Sequence, residues 1–71
     1  MTIRTIFANN IKYYREKKKL TQQDLADITG LNRVYICDVE SAKRNITIDI
    51  MEKLSNGLGI KLEKLFIKKI K

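Results

Sequence analysis

Histidine and proline are absent from this 71-residue chain, and cysteine occurs once, at Cys37. With no histidine and no second cysteine, neither an internal disulfide nor a cysteine–histidine zinc site can be assembled, so no metal and no cofactor is expected. A lone thiol suits a reducing compartment. Cys37 reads as a small space-filler rather than a redox switch, because no other cysteine can resolve a sulfenic acid. Long apolar runs are also missing: nothing approaches the ~20 residues of a membrane span. The opening MTIRTIFANN lacks the basic segment and apolar core of a secretory signal. The expectation is a soluble, cytoplasmic protein with no membrane partner. Paired carboxylates with apolar flanks, a Gly-rich phosphate loop and a nucleophile with its base are absent too. Catalysis is therefore not expected, nor is a small-molecule ligand.

Gly30, Gly57 and Gly59 stand isolated, and no stretch has the composition of a linker, a repeat or a low-complexity segment, so residues 1–71 read as one domain. What the chain does have is positive charge. Fifteen Lys and Arg against eight Asp and Glu leave a net charge of +7, which favours a polyanionic partner. Charge alone does not separate duplex DNA from RNA or a membrane surface; residue order must do that.

Ile3, Phe7, Ile11 and Tyr14 recur at helical spacing and predict an amphipathic helix over about 3–18, with Lys17, Lys18 and Lys19 at its favourable pole. Thr21 with Asp24 three residues on forms an acidic capping box, so a short second helix starts there, buries Leu25 and Ala26, and stops at Gly30. Asn32 caps a third helix that runs to about Glu40, with Ile36 and Val39 on its hidden side. Two short helices joined by a three- to four-residue turn must cross at a large angle, as in a helix-turn-helix. Residues 41–46 read as a basic loop. Thr47 caps a fourth helix with Ile48, Met51, Leu54 and Leu58 inward, Gly59 ends it, and Leu62, Leu65, Phe66 and Ile70 suit a last short helix.

In that geometry the unburied side of the third helix meets base edges in the major groove of double-stranded DNA. Arg33 can donate a pair of hydrogen bonds to guanine N7 and O6, and Val34 offers an apolar surface to a thymine methyl. Asp38 either accepts from cytosine N4 or orients Arg33. The backbone-holding residues are Gln22 and Gln23 at the start of the second helix, Asn32, and Lys43, Arg44 and Asn45 in the basic loop. Tyr35 is either a ring whose hydroxyl reaches a phosphate or plain packing. RNA binding is disfavoured, because the aromatics fall on buried stripes instead of forming a stacking platform.

These residues resemble the phage repressor and Cro-like helix-turn-helix family over about Ile6 to Phe66. The pattern is carried by Arg15, Leu20, Thr21, Gln22, Leu25, Ala26, Gly30, Asn32, Tyr35, Ile36, Val39, Glu40, Lys43, Arg44, Leu58, Gly59, Ile60, Leu62, Leu65 and Phe66. The resemblance implies an all-α, five-helix lambda-repressor-like domain and a partly buried ion pair between Arg15 and Glu40. Within the family, NRVYICDVESAKRNITI looks like the controller proteins of restriction–modification systems, which act as dimers on paired operators. Prophage repressors and antitoxins whose DNA binding is secondary to masking a protein partner share much of the pattern. Two positions depart from it. Ala42 stands where glycine is usual, so the loop is expected to take another path if positive φ is required there. Gly57 lies inside the fourth helix, where close approach of another helix would explain it.

A homodimer is expected, joined through the fourth helix and a carboxy-terminal surface of Leu62, Phe66, Ile67 and Ile70, since the apolar side chains at the end exceed what one small core can hide. Its recognition helices would address half-sites ~34 Å apart. Repression by blocking RNA polymerase and activation by touching it both fit this scheme.

Overall fold

The computed structural model describes residues 2–68, and these form four α-helices and a closing 3₁₀ turn with no strand. Helix α1 spans Ile3–Lys17, α2 Gln22–Thr29, α3 Arg33–Glu40 and α4 Ile48–Leu58, and the 3₁₀ turn spans Leu62–Phe66. None of these helices is long and apolar enough to cross a membrane.

Local side chains set the helix boundaries. Thr2 begins α1 by accepting the Thr5 N–H. Thr21 and Asp24 exchange side-chain and backbone hydrogen bonds of 3.0 and 2.9 Å, which completes the capping box of α2. Asn32 Oδ1 accepts the Val34 N–H at 2.7 Å to start α3, and Thr47 Oγ1 accepts the Ile50 N–H at 3.2 Å to start α4. Gly30 and Gly59 end α2 and α4 with φ of 77° and 67°, a conformation that carries no side-chain clash for glycine.

Every element sends a side chain to the centre: Phe7 and Ile11 from α1, Leu25 from α2, Ile36 from α3, Leu54 and Leu58 from α4 and Leu65 from the 3₁₀ turn are fully buried. Gly57 lies against the end of α2, where a β-carbon on it would come within 2.7 Å of Thr29 Cγ2. Close approach of another helix is thus why a poor helix former occupies that turn.

Two expectations are corrected. Ile3 and Ile48 do not line the core; each is the first residue of its helix, and they are 59% and 61% exposed. The fifth element is a 3₁₀ turn rather than an α-helix. Its tighter winding brings residues three apart onto one side, and Leu62, Leu65 and Phe66 all turn onto this chain's own core, with the Phe66 ring 5.4 Å from that of Phe7. Of the four residues expected to form a dimer surface, Ile67 is exposed, Leu62 and Phe66 are half-buried against the chain itself, and Ile70 lies outside the described residues.

Sequence reading gives no hint of Asn10. Buried on α1, it donates from Nδ2 to the carbonyls of Leu65 and Ile67, both at 2.8 Å, and so fastens the end of the chain to its first helix. A buried amide left without such partners would cost about 1–3 kcal/mol.

Candidate nucleic-acid interface

Helix α3 is held from behind and open in front. Ile36 is fully buried and Val39 nearly so, while Arg33 and Val34, in the first turn, are exposed. Arg33 has no ion-pair or hydrogen-bond partner among the described residues, so its five donors face solvent. Asn32 is exposed beside them, its side-chain oxygen engaged in the cap and its amide nitrogen available. Cys37, one turn on from Arg33, is half-buried.

The back of α3 is fixed to two other helices by one carboxylate. Glu40 Oε2 accepts from Arg15 Nε at 2.6 Å, and Oε1 accepts from Arg15 Nη2 at 3.0 Å and from Gln22 Nε2 at 3.1 Å. Arg15 also donates from Nη1 to the Leu20 carbonyl at 2.7 Å. The two side chains are 10% and 4% exposed, and the hydrogen bonds that Arg15 donates to Glu40, opposed by burial, lift the Arg15 pKa above the ordinary arginine value. A planar fork meeting a carboxylate edge-on fixes direction as well as distance, so α1, α2 and the end of α3 form one rigid seat.

That seat alters the place of Gln22. Expected to hold a phosphate, it is half-buried with its amide turned inward to Glu40. Gln23 remains exposed and donates to Asp27 at 2.8 Å.

Asp38 does not orient Arg33. Five residues apart on a helix, the two side chains point about 140° apart around the axis, and Asp38 Oδ2 accepts from Arg44 Nε at 3.0 Å instead. The Arg44 guanidinium simultaneously lies 4.9 Å from the centre of the half-buried Tyr35 ring. Tyr35, Asp38 and Arg44 thus form a cluster in which a cation stacks on an aromatic face and neutralises a carboxylate. The loop reaches this position because Ala42 adopts φ 59° and the Lys43 N–H bonds the Asp38 carbonyl at 2.9 Å. The expected detour around Ala42 does not occur: the left-handed conformation is kept, and alanine bears it. Lys43 and Asn45 are exposed alongside, and Asn45 Oδ1 accepts from Arg4 Nη2, a residue that no local sequence signal connects to the loop.

The arrangement presents an exposed arginine and valine at the start of α3 and exposed cations in the loop that follows it. Comparison with known proteins places this surface in a family context. A helix-turn-helix family model matches residues 11–65. The control protein C.SmaI of Serratia marcescens is 40% identical over 65 residues, covering 92% of this chain and 77% of its own. The control protein C.MunI of a Mycoplasma species is 42% identical over 65 residues, covering 90% and 88%. Among solved structures, the restriction–modification controller protein C.Esp1396I, a tetramer in complex with its natural 35-base-pair operator, superposes with a TM-score of 0.85 at 33% identity, covering 93% of this chain and 87% of that one.

Proposed function

The chain belongs to the helix-turn-helix family matched over residues 11–65, and from that premise we propose that it is a DNA-binding transcriptional regulator, the controller protein of a restriction–modification system. The observation that carries this reading is the exposure of Arg33 and Val34 on a helix whose opposite side is anchored by Ile36, Val39 and the Glu40 ion pair. A reader of bases needs donors held in a fixed place, and a mobile helix would spend its binding free energy on ordering. The relatives named as control proteins, and the operator complex of one of them, support the narrower role.

Arg33 and Val34 read base edges, with Asp38 one turn beyond Val34. Lys43, Arg44, Asn45, Asn32 and Gln23 hold the sugar–phosphate backbone, with Tyr35 shaping the surface on which Arg44 rests. The working unit is a homodimer on a near-palindromic operator, its half-sites ~34 Å apart. Ile67 after the 3₁₀ turn, 56% exposed, and Ile48 on α4, 61% exposed, are among the apolar side chains open to a second copy, with the outer edges of Leu62 and Phe66 ahead of Ile67 in the chain. The cytoplasm, where DNA and RNA polymerase are both reached, is where such a regulator works.

Selection of bound duplexes from a random pool tests this directly. A two-fold symmetric motif with half-sites one helical turn apart is expected, and binding that ignores sequence at moderate salt sinks the reading. Sedimentation at micromolar concentration should give twice the 8.3 kDa chain mass; the chain mass alone contradicts the dimer.

A further inference from the structure

The basic loop is tied at two points. Arg44 folds back onto Tyr35 and Asp38 of α3, and the next residue, Asn45, takes its hydrogen bond from Arg4 in the first turn of α1, 41 positions away. Both members of this second tie are exposed.

The Arg4–Asn45 bond has two chemical consequences. An arginine carries only donors, so the Asn45 carboxamide must turn its oxygen toward Arg4 and its two N–H donors away, out to solvent. The Asn45 oxygen also carries no charge to cancel that of Arg4. No carboxylate among the described residues pairs with Arg4, and the first turn of α1 holds no acid. Arg4 therefore brings an uncompensated cation, with N–H donors to spare, to the edge of the loop that already exposes Lys43.

We propose that Arg4 contacts a phosphate of the duplex and extends the backbone-holding surface from the loop onto α1, while aiming the Asn45 amide at the same strand. This assignment rests on the duplex-binding reading above. A guanidinium suits the role because it can hold Asn45 with one nitrogen and a phosphate oxygen with another.

The test is the salt dependence of binding to the selected operator. Each phosphate neutralised contributes about 0.9 to the slope of log K against log salt. Arg4→Ala should flatten the slope by about two, one for each copy in the dimer, and weaken binding on the order of tenfold per copy at 0.1 M salt, on cognate and random duplexes alike. Arg4→Lys should keep the slope. A wild-type slope retained in Arg4→Ala overturns the assignment, as does an equal loss of slope in Arg4→Lys, which would trace the effect to a displaced loop. Wild-type binding that is itself independent of salt would sink the duplex reading as a whole, a result distinct from either.

Discussion

Thr29 Cγ2 occupies the space into which a β-carbon on Gly57 would project, 2.7 Å from its ideal position, and Ile28 Cγ2 closes the same space at 3.3 Å. The Thr29 hydroxyl donates to the Leu25 carbonyl at 2.8 Å, which fixes its rotamer and keeps the methyl from swinging aside. Gly57→Ala would gain ~1 kcal/mol of helix propensity but incur an overpacking cost of about 1–3 kcal/mol. A lower melting temperature by circular dichroism is the expected outcome. Adding Thr29→Ser, which removes the methyl and keeps the hydroxyl, should return most of the loss; no recovery would mean that the helices meet elsewhere.

Ala42 offers the opposite case. Its φ of 59° places a β-carbon where an L-residue loses about 1–2 kcal/mol. Ala42→Gly removes that strain and adds ~0.5–1 kcal/mol of unfolded-state freedom, so a small net stabilisation is expected, with operator affinity unchanged. Denaturant titration and a binding isotherm check both halves.

Glu40→Ala strands Arg15, whose side chain is 10% exposed and keeps only the Leu20 carbonyl as a hydrogen-bond acceptor. Removing one partner of a well-buried pair costs about 3–5 kcal/mol. Stability should therefore fall well before site preference does. Intact melting with an altered preferred site would show that Glu40 belongs to the reading surface instead.

Arg33→Ala should lose about 1–3 kcal/mol on the cognate duplex and relax preference at one base pair. Equal loss on random duplexes would make Arg33 another phosphate clamp.

Arg44→Ala should weaken all duplexes alike, and the structure adds a second effect. It frees the Asp38 carboxylate, which then repels phosphates. The double variant Arg44→Ala with Asp38→Asn should accordingly bind more tightly than Arg44→Ala alone, measured at low salt where such repulsion is least screened. Equal affinities would show that Asp38 is remote from the duplex.

The parts of this molecule that can be read from its sequence are those decided within a turn of helix. Thr21, Asn32 and Thr47 cap through bonds to residues two or three positions on, and Gly30 and Gly59 end helices through their own backbone freedom. A hydrophobic stripe, by contrast, gives a direction around a helix but not how deeply each position along it is covered, so Ile3 and Ile48 carry the periodicity of core residues and are nonetheless more than half exposed. The pairing of Asp38 with Arg44 rather than Arg33 depends on where a loop returns. The ties from Asn10 and Arg4 span most of the chain. The Arg15–Glu40 pair, 25 positions apart, became legible only through the family resemblance.

The acceptors for Asn10 lie 55 and 57 positions downstream, which bears on how the molecule assembles. During synthesis the first helix emerges long before those carbonyls exist, and until they arrive its buried amide must stay hydrated. The opening helix and the closing turn should therefore exchange their amide protons as one unit, so that loosening either terminus unlocks the other.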